Sequence, residues 1–276
     1  MRASTYLIAA VGAAAWLAGG AGPAVAGDAA DWQQRPHVAL RLSAAALGRG
    51  GERVPWAAVE LRLDPGWKIY WRSPGEAGVP TTIDWSGSAN LRAAETRWPR
   101  PKRARIWNVD TVGYGGEVTF PAALALDDPR ANTMLRVRVA YGVCREICIP
   151  DEAVLTLAVP PAGWHAPGAA ERIRAALARV PDRGGEAAWR LTQVALRDGK
   201  LTVEAESTEA LTAPDLFVEG PREARFGTTV AMLGADRHKV RFEIPVEGLA
   251  AGTSQLVLTF VDGSRAFERR ATVPFP

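Results

Sequence analysis

Only two residues of this 276-residue chain can do thiol chemistry, and they stand together. They are Cys144 and Cys148, in the run Tyr141-Gly142-Val143-Cys144-Arg145-Glu146-Ile147-Cys148-Ile149-Pro150. The flanks, Met134 to Val139 and Ala153 to Val159, are rich in valine and leucine and read as strands, which puts the pair at the shoulders of a hairpin tip. Residues facing each other across an antiparallel pair have Cα atoms roughly 4.5 to 5.5 Å apart, a separation that a disulfide tolerates. As a staple such a bond is weak: closing about five residues is worth roughly 2 kcal/mol of chain entropy, against about 4.7 for a loop of a hundred. A bond that adds so little stability is better suited to opening and closing. In exchange, one thiolate attacks a partner's disulfide and the other resolves the mixed disulfide. Arg145 favours a neighbouring thiolate and Glu146 opposes it, so their charges roughly cancel. Three other uses stay open: a purely structural disulfide, a two-thiolate Cu(I) site, and intermolecular pairing.

Little else in the chain competes as chemistry. His37, His165 and His238 are far apart and none stands in a metal-ligand spacing, so no metal and no cofactor is expected. Three residues separate the cysteines and no histidine follows, which argues against a c-type haem site and the thioredoxin motif. Beyond Met1 the only methionines are Met134 and Met232, too few for a soft-ligand cluster around copper. A formal charge of +3 is nearly balanced and implies no nucleic-acid partner.

The N-terminus points to export. Met1-Arg2 precedes an apolar run from Tyr6 to Leu17 and the small-x-small site Ala24-Val25-Ala26, the pattern of a cleaved signal peptide over residues 1–26. The run is short for a membrane span and is followed by Gly19, Gly20, Gly22 and Pro23. The mature chain is expected to start near Gly27, outside the cytoplasm, where disulfides persist, and not to span the membrane. Two cysteines are no scaffold for about 250 residues, so the fold must stand on its hydrophobic core.

The elements that must position the cysteines are strands. After a segment over 27–36, short alternating runs separated by turn chemistry fill 37–160: Val38 to Ala44, Trp56 to Leu63, Thr81 to Trp85, Leu91 to Trp98, Glu117 to Leu126, Met134 to Val143 and Ala153 to Val159. Trp67, Tyr70, Trp71, Trp85, Trp98, Trp107 and Tyr114 supply bulk for the space between two sheets, or a platform around the cysteines. Arg97, Arg100, Lys102, Arg103 and Arg105 interleave with Pro99 and Pro101, which predicts an extended solvated loop, with docking of an acidic partner or an electrostatic effect on a nearby thiol as sharper possibilities. Pro160-Pro161 opens a linker over 161–185 with a helix between Ala169 and Val180, stopped by Pro181 and Gly184-Gly185. Residues 186–276 return to strand patterns, with a tight-hairpin signal at Asp198-Gly199 and no catalytic motif. The fold class is therefore all-β: two immunoglobulin-like β-sandwich domains joined by a linker with a short helix.

Four motifs in order carry a resemblance: Gly66-Trp67-Lys68-Ile69-Tyr70-Trp71-Arg72, Trp98-Pro99-Arg100-Pro101, Gly113-Tyr114-Gly115-Gly116-Glu117-Val118, and Tyr141-Gly142-Val143-Cys144 to Cys148-Ile149-Pro150. Over roughly 35 to 160 the chain resembles the N-terminal periplasmic domain of the thiol:disulfide interchange protein DsbD and its relative ScsB, and its two-part architecture looks more like ScsB. The resemblance implies an immunoglobulin-like domain that takes electrons from a membrane-embedded donor and hands them to periplasmic thioredoxin-like proteins. It further implies that Cys148 engages partners and Cys144 resolves, that Tyr114 on the cap segment helps shield the pair, and that Tyr70 or Trp71 lies nearby. Gly113 departs from the family, where an aromatic often stands, and the cysteine spacing is shorter than in DsbD. DsbD-type proteins continue into a transmembrane core and a thioredoxin-like domain, so the expected donor is a separate membrane protein. The expectation is a periplasmic thiol-disulfide interchange protein working through Cys144 and Cys148. The alternative is a copper-tolerance or envelope binding protein in which the pair holds Cu(I) or is a local brace.

Overall fold

The computed structural model describes residues 29–48, 53–106, 109–183, 189–249 and 252–275. The signal peptide expected over 1–26, Trp107 and the Gly184-Gly185 stop lie outside them. The first eleven strands are β1 (Gln33–Arg35), β2 (Val38–Leu47), β3 (Val54–Leu63), β4 (Lys68–Gly75), β5 (Thr82–Asp84), β6 (Leu91–Thr96), β7 (Lys102–Ile106), β8 (Val109–Gly115), β9 (Glu117–Leu126), β10 (Thr133–Cys144) and β11 (Cys148–Val159). They form two antiparallel sheets, in the orders β1-β2-β3-β9-β6 and β11-β10-β4-β8-β7, with β5 also paired to β10.

Period-two patterning decides which side of each strand is inside. Along β10, Leu135, Val137, Val139, Tyr141 and Val143 are buried while Met134, Arg136 and Arg138 are exposed. Those inward residues meet Leu40, Leu42, Leu61, Phe120 and Trp71 in one core between the sheets. The linker helix α1 (Pro167–Leu177) docks on the first sandwich, its Ala166, Ala169, Ala170 and Ile173 face packing against Ala45, Leu47 and Ala58.

The second sandwich contains β12 (Trp189–Arg197), β13 (Lys200–Ser207), β14 (Pro214–Glu219), β15 (Arg225–Phe226), β16 (Val230–Leu233), β17 (Lys239–Glu247), β18 (Gly252–Asp262) and β19 (Arg265–Phe275). One sheet is ordered β12-β13-β17-β15 with β16 beside β17, and the other β14-β18-β19, around Phe242, Phe260, Leu201 and Leu258. Asp198 and Gly199 both have positive φ, 51° and 69°, the backbone that a two-residue hairpin between β12 and β13 demands. Both halves are antiparallel immunoglobulin-like sandwiches, and among the described residues the fold is all-β apart from α1 and a 3-10 turn at Pro161–Trp164.

The basic run differs from its expectation as a loop. Lys102–Ile106 is strand β7, paired with β8. Pro99 and Pro101 lie just before it, and β7 is the edge of its sheet, where proline costs no ladder bond. In the second half β15 and β16 are two short strands separated by Gly227 to Thr229.

Candidate functional site

Cys144 ends β10 and Cys148 begins β11, directly opposite each other in the register, with Cα atoms 4.1 Å apart and the sulfurs joined in a disulfide. The tip is a three-residue turn closed by the Arg145 N–H donating to the Ile147 carbonyl at 3.0 Å. The two sulfur-bearing residues have different environments: Cys144 is 1 % exposed, whereas Cys148 lies on the surface. Beside it Ile147 is 67 % exposed, a large apolar side chain held out at the tip. A disulfide with one accessible sulfur can be attacked by an incoming thiolate at that sulfur alone, with the buried one as leaving group.

Strand β4 supplies the next layer. Val143 and Cys144 pair with Ile69 and Lys68, so alternation sends Ile69 into the core with Val143 and leaves Lys68 and Tyr70 on the cysteine side. The Tyr70 hydroxyl is 3.4 Å from the Cys148 sulfur, and since a disulfide sulfur carries no proton the tyrosine is the donor. Burial pushes the Tyr70 phenol above its ordinary value, which keeps that proton in place. The Lys68 ammonium donates to Thr111 Oγ1 at 2.8 Å and lies 5.0 Å from the centre of the Tyr70 ring, and burial lowers its pKa. Three residue pairs back from the cysteines, Arg35 Nε donates to Asp151 Oδ2 at 3.0 Å and the Tyr141 hydroxyl donates to the same oxygen at 3.1 Å. The Arg35 bond holds the Asp151 carboxyl below the usual carboxylate range.

The segment between β4 and β5 wraps Tyr70. Gly78, at φ 127°, lies flat on the ring, and a Cβ there would fall inside the ring's van der Waals surface. Val79 sits over Gly142, Pro80 bridges to Tyr70, and Thr81 Oγ1 donates to the Tyr70 carbonyl at 2.6 Å. Tyr70 is left 5 % exposed. Sequence reasoning read this stretch only for its turn residues; the run Gly78-Val79-Pro80 next to an aromatic strand was the available signal.

The other two residues expected near the pair lie on the far side of the same strands. Tyr114 pairs with Ile69, faces the core, packs edge-on against Phe120 at 5.3 Å and donates its hydroxyl to the Pro99 carbonyl at 2.8 Å. Trp71 is 1 % exposed in the same core, 5.9 Å from Phe217 of the second sandwich. The structure thus brings Cys144, Cys148 and Tyr70 together and sets Tyr114 and Trp71 behind them. Gly113, the departure from the family pattern, has a local cause: any side chain there would collide with the Ile69 carbonyl, so β4 and β8 pair closely only with glycine at this position.

The basic run divides. Arg97 bonds Glu95 at 2.8 Å and Arg103 bonds Asp215 at 3.0 Å, while Arg100 and Lys102 line a cleft of about 540 Å³ with Arg41, Arg172 and Arg179, whose walls include neither cysteine. Strand β7 is three strand spacings from β10, roughly 14 Å at about 4.8 Å each. That exceeds the screening length of about 8 Å at physiological salt, so the run is not a lever on the thiols. Arg145 is occupied elsewhere, its guanidinium 5.6 Å from the Trp67 ring that itself stacks on His37 at 3.7 Å.

Residues 41–160 match the family model described as "Thiol:disulfide interchange protein DsbD, N-terminal", and residues 179–275 match a domain of unknown function, DUF8393. No curated protein matches the chain. Among solved structures, the N-terminal periplasmic domain of ScsB from Proteus mirabilis is 23 % identical, with a TM-score of 0.73 over 91 % of this chain and 100 % of that one. The C-terminal domain of the antigen I/II polypeptide BspA from Streptococcus agalactiae is 9 % identical over 84 % of this chain and 99 % of that one, with a TM-score of 0.18 that carries no argument. The matched interval contains the whole hairpin with its disulfide, the β4 strand and the covering segment, so the likeness to DsbD N-terminal domains belongs to this first sandwich.

Proposed function

We propose that this chain is a periplasmic thiol-disulfide interchange protein that relays reducing equivalents through Cys144 and Cys148. The observation that carries the reading is the pairing of an exposed Cys148, its sulfur under a tyrosine hydroxyl at 3.4 Å, with a buried Cys144. A donor's thiolate attacks the Cys148 sulfur; a mixed disulfide forms and the Cys144 thiolate leaves. The donor's second thiol then displaces Cys148, so two electrons and two protons arrive and the donor is left oxidised. In the delivering half, the Cys148 thiolate attacks the disulfide of a thioredoxin-like protein, and Cys144 attacks Cys148 to release that protein as a dithiol and restore the bond. Tyr70, holding its proton, donates to the Cys148 thiolate each time it forms.

By its family the donor is a membrane-embedded transporter of the DsbD or ScsB type. Among the described residues no helix is long and apolar enough to cross a membrane. The working division is a redox domain over 37–160, a linker over 161–185 and a second domain over 186–276. In its support, the two family models leave only 161–178 between them, and two hydrophobic cores are built largely from the respective intervals.

The test is a trap. Cys144→Ala, reduced and offered an oxidised thioredoxin-like protein, is expected to accumulate a mixed disulfide through Cys148, seen as a reductant-sensitive adduct of summed mass. Adducts formed only by Cys148→Ala would reverse the roles, and adducts from neither would leave a structural brace. Titration of the reduced protein with Cu(I) covers the metal alternative: one equivalent bound tightly by the two thiolates would replace the relay with copper binding.

A further inference from the structure

The second sandwich contains no catalytic motif, yet it grips the strand that bears on the disulfide. Three consecutive residues of β4 look in three directions. Tyr70 donates to the Cys148 sulfur, Trp71 meets Phe217, and Arg72 enters the boundary between the sandwiches. There the Arg72 guanidinium makes a two-pronged bond to Glu219 of β14, at 2.8 and 2.6 Å, and bonds Glu268 of β19 at 2.5 Å. Side-chain exposures of 20 %, 22 % and 12 % for Arg72, Glu219 and Glu268 take this cluster out of the class of solvated surface pairs, which contribute next to nothing. The Tyr70 cover is held from the same side. Glu76, where the covering segment starts, accepts from Thr228 Oγ1 of the second sandwich at 3.3 Å and is tied through its backbone N–H to the Asp110 carbonyl at 3.1 Å. Arg103 adds a third link, bonding Asp215 at 3.0 Å, the Leu216 carbonyl at 3.0 Å and Thr229 at 3.1 Å.

We propose that the second sandwich braces the redox site: Glu219 and Glu268 clamp Arg72, and Thr228 holds Glu76, so that β4 and its cover keep the Tyr70 hydroxyl on the Cys148 sulfur. These are positioning residues, since none touches the sulfurs. The geometry makes the brace direct. Arg72 is two residues from Tyr70 along one extended strand, about 7 Å, and β4 has an irregular register against β8 between Tyr70 and Gly75. This part of β4 therefore lacks the regular ladder that fixes its first three residues, and the second sandwich supplies the missing restraint.

The inference rests on the exchange reading above, and one experiment separates the two. In Cys144→Ala, which leaves Cys148 as the sole cysteine, the rate of alkylation by iodoacetamide is followed against pH. Tyr70→Phe removes a hydrogen bond to the thiolate and is expected to move the midpoint up by about one pH unit. The paired change Glu219→Gln and Glu268→Gln is expected to move it up by about half a unit in the Tyr70 protein and not at all in Tyr70→Phe, because the only route of its effect is gone. Equal shifts in both backgrounds, or none in the Tyr70 protein, overturn the brace and leave exchange standing. A midpoint unmoved by Tyr70→Phe overturns the donor role of Tyr70 and the brace with it. Should the paired variant fail to fold, Glu219→Asp keeps the charge, shortens the reach and reads the same coupling.

Discussion

The longest antiparallel hairpin of each sandwich ends in a tip, and the two tips are closed by opposite means. In the first, β10 and β11 run in register for twelve pairs to a tip closed by the disulfide, with Ile147 exposed beyond it. In the second, β18 and β19 run in register for eleven pairs to a tip built on Asp262. Its buried carboxylate accepts from the backbone N–H groups of Thr212 and Ala213 at 3.0 and 2.7 Å, from Thr212 Oγ1 at 2.8 Å and from Arg265 at 2.6 Å. A polar network of this kind ties the tip to the neighbouring loop and is costly to disturb. The disulfide ties the tip only to itself, and can open without loosening anything else.

The comparison breaks if the second tip proves the cheaper to disrupt. Asp262→Ala, which strands Arg265 and the donors of Thr212 and Ala213, is expected to cost about 3 kcal/mol in denaturant unfolding. Burial works against ionisation of Asp262, but the Ala213 and Thr212 donors and Arg265 outweigh it and hold its pKa below the ordinary value. Its contribution is therefore fully present above the unfolded value of about 3.9 and is lost as pH falls through the lower folded value. The wild type should lose stability over that acid window, and Asp262→Ala should lose less.

A smaller effect is expected at the first tip. Reduction of Cys144–Cys148 should cost at most about 2 kcal/mol, the chain-entropy value for a loop of about five residues, with the melting transition still cooperative. A loss well above that would make the bond a staple after all.

The comparison is sharpened by a change that leaves both tips intact. Gly78→Val puts a side chain where the Tyr70 ring lies, on a backbone at φ 127° that strains it, and is expected to slow exchange at Cys148 about tenfold, the equivalent of ~1.4 kcal/mol, at a stability cost of about 1 kcal/mol. An unchanged rate would detach Tyr70 from the chemistry.

Much of the scaffold is legible in the sequence. The valine and leucine alternation of β10 and β11, the Asp198-Gly199 turn and the linker helix all lie where period and turn chemistry predict them, because each is decided by local pattern. Strand β4 was not, since Ile69, Tyr70 and Trp71 are apolar on both faces: two enter the core, and the third is buried on the outside by the covering segment. Gly113 and Gly115 hid β8, glycine being a turn signal, though at Gly113 it permits close strand pairing. The cysteines were legible as chemistry from their isolation alone. Which aromatics face them was not: Tyr70 and Trp71 are adjacent in sequence and on opposite sides of the sheet, and only the register to Cys144 tells them apart. The grip of Glu219 and Glu268 on Arg72, across 147 and 196 residues, has no sequence signature at all.

The unequal exposure of the two cysteines sets a clock on every encounter. In a chain that exchanges through Cys148, each visitor becomes covalently attached at the one reachable atom while Cys144 waits behind it, already within bonding distance. A wrong visitor is expelled by that internal attack before anything downstream can happen, so no reductase is required to clear the site. Discrimination then comes from dwell time: the partners served are those that finish their own second step sooner than the buried thiol takes back the bond.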